Sequence, residues 1–162
     1  MKNPGIITAG AYILLGILIG SLFNEFRPDG IPWTAPPLLQ VEASEPSVNP
    51  DSLAGIHLIN LKQAKAYFDQ GLPFIDAREV EDFEQGHISG AFASNNFMEL
   101  IFRLDTLQTR DDLLITYCDD AECGLSKNLA YDLQASGFTH ILVFEGGWQL
   151  WLDAGYPVTD EQ

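Results

Sequence analysis

The sequence predicts an α/β domain built on a mainly parallel sheet, preceded by one membrane-crossing helix. Three observations predict it. From about Ile56 onward, short apolar runs alternate with helical stretches, as they do where strands are joined by crossover helices. Residues 6–23, IITAGAYILLGILIGSLF, form eighteen positions without a charge. Residues 27–55 hold six of the nine prolines and keep no apolar period. The 162-residue chain therefore reads as an anchor at 1–26, a linker at 27–55 and a domain at 56–162, one domain with an appendage.

The anchor comes first. At about 1.5 Å per residue the uncharged run reaches roughly 27 Å, close to the hydrocarbon thickness of a bilayer. Lys2 precedes it, and the bulky FNEF that follows offers no small-x-small cleavage site. An uncleaved anchor is expected rather than a signal peptide. Gly16 and Gly20 make a GxxxG, which permits close helix pairing. A short basic start and a long acidic tail orient the amino terminus toward the cytoplasm. The domain is then expected outside it, in a periplasm-like compartment. The proline-rich stretch reads as a semi-rigid, largely extended tether.

The domain's elements follow in order. Asn60 and Gln63 have capping-box spacing at the start of NLKQAKAYFDQG, where Leu61, Ala64 and Phe68 share a face and Gly71 stops the helix. LPFIDA reads as a buried strand, EVEDFEQG as a short helix, GAFAS as a short strand and NFMELIFRL as a helix. DLLITYC is the strongest strand. GLSKNLAYDLQASG is a helix with Leu125, Leu129 and Leu133 at four-residue spacing, stopped by Gly137. HILVF is a strand and GGWQLWLDAG a closing helix. In such sheets, ligands bind outside the carboxyl ends of the strands. Asp76, Cys118 and Glu145 end three strands and are expected to converge on one rim.

Composition excludes several classes. A net charge of −15 argues against a nucleic-acid partner, because phosphate backbones demand Lys and Arg. It also disfavours a face lying on anionic lipid. Two cysteines are too few for a disulfide framework. They are also too few for zinc, because His57, His87 and His140 are scattered and complete no ligand set. No cofactor or metal is expected.

Both cysteines, Cys118 and Cys123, flank three carboxylates: Asp119, Asp120 and Glu122. A strand, a short loop and a helix start form a geometry in which loop amides and the helix's positive end face one point. A thiolate there has a lowered pKa and is nucleophilic. The loop Asp119, Asp120, Ala121, Glu122, Cys123, Gly124, Leu125 is thus the candidate substrate-binding loop, with Cys118 the candidate nucleophile. The bland alternative makes Cys118 a small buried hydrophobe.

Residues 56–160 resemble a rhodanese domain. FIDAREVEDFEQGHISGA resembles that family's Asp-x-Arg and Gly-His-Ile-x-Gly-Ala signature. ITYC resembles the strand that delivers its catalytic cysteine, and GFTHILVFEGGWQLWLDAGYPV its closing segment. The resemblance implies a parallel sheet of about five strands flanked by helices. It also implies transfer of a sulfane sulfur through a persulfide on Cys118. Asp76 and Arg78 then belong to a structural charge network, while His87 fixes a turn.

The loop departs from the family pattern in having no Arg or Lys before Lys127. A dianion such as thiosulfate meets carboxylates there, which favours a neutral, small or protein-borne persulfide donor and a protein acceptor. Phosphatase chemistry needs an Arg clamp near the loop's end, where Gly124 and Leu125 stand. Three roles are open to Cys123: a spectator, a stabiliser of the loop, or a resolving thiol that closes a disulfide with Cys118. Two rival functions follow, a catalytically silent partner-binding module at the membrane and a dithiol redox protein.

Overall fold

The computed structural model of the chain describes residues 4–26, 39–40 and 53–160, and the side chains of all of these except 4–9, 11, 39 and 40. The chain divides into two compact units, Met1–Pro37 and Leu38–Gln162.

In the first unit, α1 spans Pro4–Glu25 as one helix of 22 residues. Its described apolar side chains, Ile13, Leu14 and Ile17 among them, are exposed. The membrane helix expected from the sequence is not established: among the described residues no helix is long and apolar enough to cross a membrane.

In the second unit the strands are β1 (Leu39–Gln40), β2 (Gly55–Ile59), β3 (Phe74–Asp76), β4 (His87–Ile88), β5 (Leu114–Tyr117), β6 (His140–Phe144) and β7 (Val158–Thr159). The helices are α2 (Leu61–Asp69), α3 (Val80–Gln85), α4 (Phe97–Leu107), α5 (Leu125–Ala135) and α6 (Gly147–Asp153). Four parallel strands lie in the order β2-β6-β5-β3, and the two-residue β1 adds a fifth at the β2 edge. Leu39 and Gln40 belong to the stretch read as a tether. The rest of that reading, from Arg27 to Leu38 and from Val41 to Ser52, lies outside the described residues.

The sheet sorts its side chains with a period of two. Ile115, Tyr117, Leu142 and Phe144 face one layer, with Ala64 and Tyr67 of α2 and Trp151 of α6. Leu114, Ile141 and Val143 face the other, with Leu104 of α4 and Ala130 and Leu133 of α5. Trp151 is fully buried, donates its indole N–H to Pro157 O at 2.9 Å and meets Phe68, Phe74, Phe144 and Tyr156 through edge or tilted contacts. Strands buried on both faces explain why these runs are continuously apolar rather than alternating.

Three local expectations need correction. GAFAS forms no strand. Phe92 makes a single bridge to Ile75, its N–H bonding Phe74 O while Asp76 N–H bonds Phe92 O, each at 3.1 Å. Leu125 does not belong to the buried stripe of α5, where Ser126, Ala130 and Leu133 are buried instead. Leu129 still packs partly buried against the core, whereas Leu125 is exposed at the first position of the helix and lines a cavity. DLLITYC ends as a strand at Tyr117, so Cys118 is the first residue beyond β5.

Candidate active site

Parallel register brings three strand ends together. Asp76 pairs with Tyr117, and Tyr117 with Phe144. Asp76, Cys118 and Glu145 therefore stand at neighbouring carboxyl ends. Glu145 is occupied by an ion pair with Lys127 of α5 at 2.7 Å.

The loop after β5 is a tight excursion pinned at both ends. Trp148 N–H bonds Cys118 O at 2.7 Å and Gln149 N–H bonds Asp119 O at 2.9 Å. The first amides of α6, which lack partners within their own helix, thus grip the start of the loop. At the far end, the Asp120 carboxylate accepts the N–H groups of Glu122 at 2.9 Å and Cys123 at 3.1 Å. Asp119, Asp120, Ala121, Glu122, Gly124 and Leu125 are all exposed.

Cys118 and Cys123 are joined by a disulfide, with their Cα atoms 6.2 Å apart. Cys118 is 2% exposed, whereas Cys123 is half-buried. In this form there is no free thiolate. Two of the amides expected to cradle one are donated to Asp120 instead.

A cavity of about 360 Å³ opens over this disulfide, walled by Arg78, Glu79, Asp82, Asp119, Leu125 and Trp148 together with both cysteines. A larger one of about 590 Å³, between Phe68, Pro73, Phe92 and Arg103, holds neither cysteine. Size is the weaker criterion here, because only the smaller cavity has a group able to exchange bonds at neutral pH.

Asp76 and Arg78 form a buried, bidentate pair. Arg78 Nη2 donates to Asp76 Oδ2 at 2.7 Å, and Nε donates to both carboxylate oxygens at 3.1 Å. Arg78 Nη2 also donates to Gly86 O at 2.7 Å, and Nη1 lies 4.0 Å from Asp119. The guanidinium sits 5.0 Å from the centre of the Trp148 ring. Burial opposes its charge, but the Asp76 hydrogen bonds and charge outweigh burial and hold Arg78 above its ordinary value. Beneath the pair, burial first and then Asp76 push the Tyr117 phenol well above its usual range, so it stays neutral. Its oxygen accepts Ile88 N–H at 3.3 Å. His87 stacks on Phe83 with ring centres 3.7 Å apart, and its Nδ1 meets Phe83 O at 2.9 Å. These contacts fix the turn beside the cavity. Among the described residues no cluster of His, Cys, Asp and Glu is arranged to hold a metal ion.

A rhodanese-like domain profile matches residues 60–154, from the cap of α2 to the end of α6. The chain belongs to the rhodanese-like domain family. Rhodanese-like domain-containing protein 17 of Arabidopsis thaliana is 27% identical over 118 residues, covering 64% of this chain and 72% of that protein. Thiosulfate sulfurtransferase 18 of the same plant is 24% identical over 119 residues, covering 64% and 84%. Among solved structures, the BH2092 protein of Bacillus halodurans matches with a TM-score of 0.55 at 19% identity, covering 63% of this chain and 75% of that one. At that identity the likeness speaks for the fold alone.

Three residues of the cavity wall in this rhodanese-like domain, Glu79, Asp82 and Trp148, were not singled out as site residues by the sequence. Arg78 is a structural ion-pair partner and also the one cation on the cavity wall. Trp148 is half-buried and forms wall, while Trp151 three positions on is core. Glu79 and Asp82 complete an acidic collar. Glu79 lies three residues beyond the end of β3 and Asp82 six, and the folding of α3 against the rim puts both on the wall of the cavity with the cysteines.

Proposed function

We propose that this rhodanese-like domain is a sulfurtransferase that carries a sulfane sulfur as a persulfide on Cys118. The observation that carries the reading is the position of Cys118: just beyond β5, at the floor of a cavity that Arg78 also lines. Family membership supports it, since rhodanese-like proteins include sulfurtransferases. With the disulfide reduced, the Cys118 thiolate attacks the outer sulfur of a donor. The donor's remainder leaves with the bonding electron pair, and the new S–S bond stands on Cys118. A thiophilic acceptor then takes the outer sulfur by the same displacement. Arg78 offers positive charge near an anionic persulfide. Glu79, Asp82 and Asp119 ring that charge with carboxylates, which suits a neutral or protein-borne persulfide better than a dianion.

A second reading has one observation behind it. The disulfide makes the two cysteines a redox couple that can exchange two electrons with another dithiol and carry no sulfur at all. Intact mass separates the two. Reduced chain treated with cysteine persulfide should gain about 32 Da, one sulfur, and Cys118→Ser should gain nothing. A loss of about 2 Da without any sulfur donor, needing both cysteines and only an oxidised dithiol, would favour the redox couple. No change under either treatment leaves a silent partner-binding module.

We further propose that α1 anchors the protein in a membrane with the domain on the extracytoplasmic side. The uncharged run at 6–23 and the exposed apolar side chains of α1 support it. An oxidising compartment also suits a closed disulfide. Retention of the chain in carbonate-washed membranes tests it.

A further inference from the structure

We infer that Cys123 is the resolving nucleophile of this site: its thiolate displaces hydrosulfide from a persulfide on Cys118, and the resulting disulfide is reopened by an external dithiol that enters at the Cys123 sulfur. This rests on the proposal that Cys118 carries the persulfide.

The geometry points there in three ways. First, the two sulfurs are already bonded, at a Cα separation of 6.2 Å. That lies inside the roughly 4.4–6.8 Å that an ordinary disulfide spans, so this fold of the loop accommodates the bond. Second, the loop is built to present Cys123. The Asp120 carboxylate and carbonyl both accept Cys123 N–H, at 3.1 and 3.3 Å. That turn directs Cys123 back toward Cys118. Third, no other group in the chain is a thiol. The chain holds only two cysteines, and the other walls of the cavity are carboxylates, two amides, a guanidinium and apolar groups.

The step balances. Cys118–Sγ–S–H and the Cys123 thiolate give Cys118–Sγ–Sγ–Cys123 and HS⁻. The Cys123–Cys118 bond forms at the inner sulfur as the bond to the outer sulfur breaks, and the outer sulfur leaves with the electron pair. The sulfane sulfur is reduced to sulfide while the cysteines end oxidised. Burial decides how the disulfide is reopened. A thiolate must approach the sulfur it attacks along the S–S axis, and Cys118 is 2% exposed while Cys123 is half-buried. The reductant therefore bonds to Cys123 and expels Cys118 as thiolate. The reductant's second thiol then frees Cys123 and closes its own disulfide. The cycle regenerates the carrier thiolate itself, ready for the next sulfur. The domain becomes a device that turns persulfide sulfur into free hydrosulfide at the expense of a dithiol.

The test uses the full chain, reduced, desalted and kept free of oxygen. Wild type, Cys123→Ser and Cys118→Ser each receive cysteine persulfide for a single turnover. Excess is removed, and intact mass and released hydrosulfide are followed. Wild type should end about 2 Da below the reduced chain with one hydrosulfide per chain, and Cys123→Ser should hold a gain of about 32 Da with none. If both hold that gain equally long, the resolving role is overturned and the carrier role stands. If neither wild type nor Cys123→Ser gains sulfur and wild type forms no disulfide, the carrier reading itself fails and this inference with it. In a second arm, oxidised wild type is treated with β-mercaptoethanol and quenched with an alkylating agent. The mixed disulfide should map to Cys123, and one found mainly on Cys118 overturns the order of entry.

Discussion

Gly147 begins α6 with φ at +60°, and a Cβ there would stand 2.5 Å from Cys118 O and 2.6 Å from Asp119 O. Both neighbours are backbone and cannot rotate away. Gly155 has a similar φ of +67° but open space around it. The two positions form a controlled pair. Gly155→Ala should cost only the left-handed penalty, about 1–2 kcal/mol. Gly147→Ala should cost clearly more and also slow persulfide formation, since the loop bearing Cys118 must shift to relieve the overlap. Chemical denaturation and the rate of sulfur loading check both. Equal losses for the two variants would show that the α6 start does not hold the loop. The Gly-Gly pair was visible in the sequence as a motif, but its use was not, because the carbonyls it makes room for lie on another strand's end. The place of Cys118 at the carboxyl end of a strand was legible from the apolar run before it. That Asp120 would take the Cys123 and Glu122 amides was not, since an exposed Asp in a loop has many local partners to choose from.

Elements whose signal is local were the ones that could be read. The Asn60–Gln63 capping box has both reciprocal bonds, at 2.9 and 3.0 Å, because cap and partner are three residues apart. The antiparallel pair of β4 with β7 escaped notice, since two residues on each side carry no period and the partners are distant in sequence. The connection from α4 to β5 offers a test of element-scale electrostatics. Asp112 Oδ2 accepts Thr109 N–H and its hydroxyl, each at 2.8 Å, and those bonds hold its carboxyl below the usual range. A carboxyl depressed by folding contributes stability that is full above its unfolded pKa, about 3.9. That contribution fades as pH falls through the lower folded value. Asp112→Asn should therefore unfold more easily than wild type near neutrality, with the gap narrowing as pH falls below about 4. Thermal melts across that range measure it, and a gap that stays constant would mean the Thr109 bonds do not favour the charged form.

At the scale of the whole molecule, the charge and the apolar run pull the chain toward different surroundings. A net charge of −15 keeps the acidic domain solvated, whereas Tyr12, Leu14, Ile17 and Leu18 are each more than half exposed on α1. Water is a poor solvent for so continuous an apolar surface. The anchoring proposed above would bury those eighteen uncharged positions in hydrocarbon and keep the acidic domain in water. Full-length chain should remain with membranes after a carbonate wash, and protease added from the extracytoplasmic side should release the domain into solution. The double variant Ile17→Lys, Leu18→Lys puts two charges near the middle of the run, at about 2.5–3.5 kcal/mol each on insertion scales, and should appear in the soluble fraction. Wild type found there as well would sink the anchor and turn α1 into a helix that serves a partner in water.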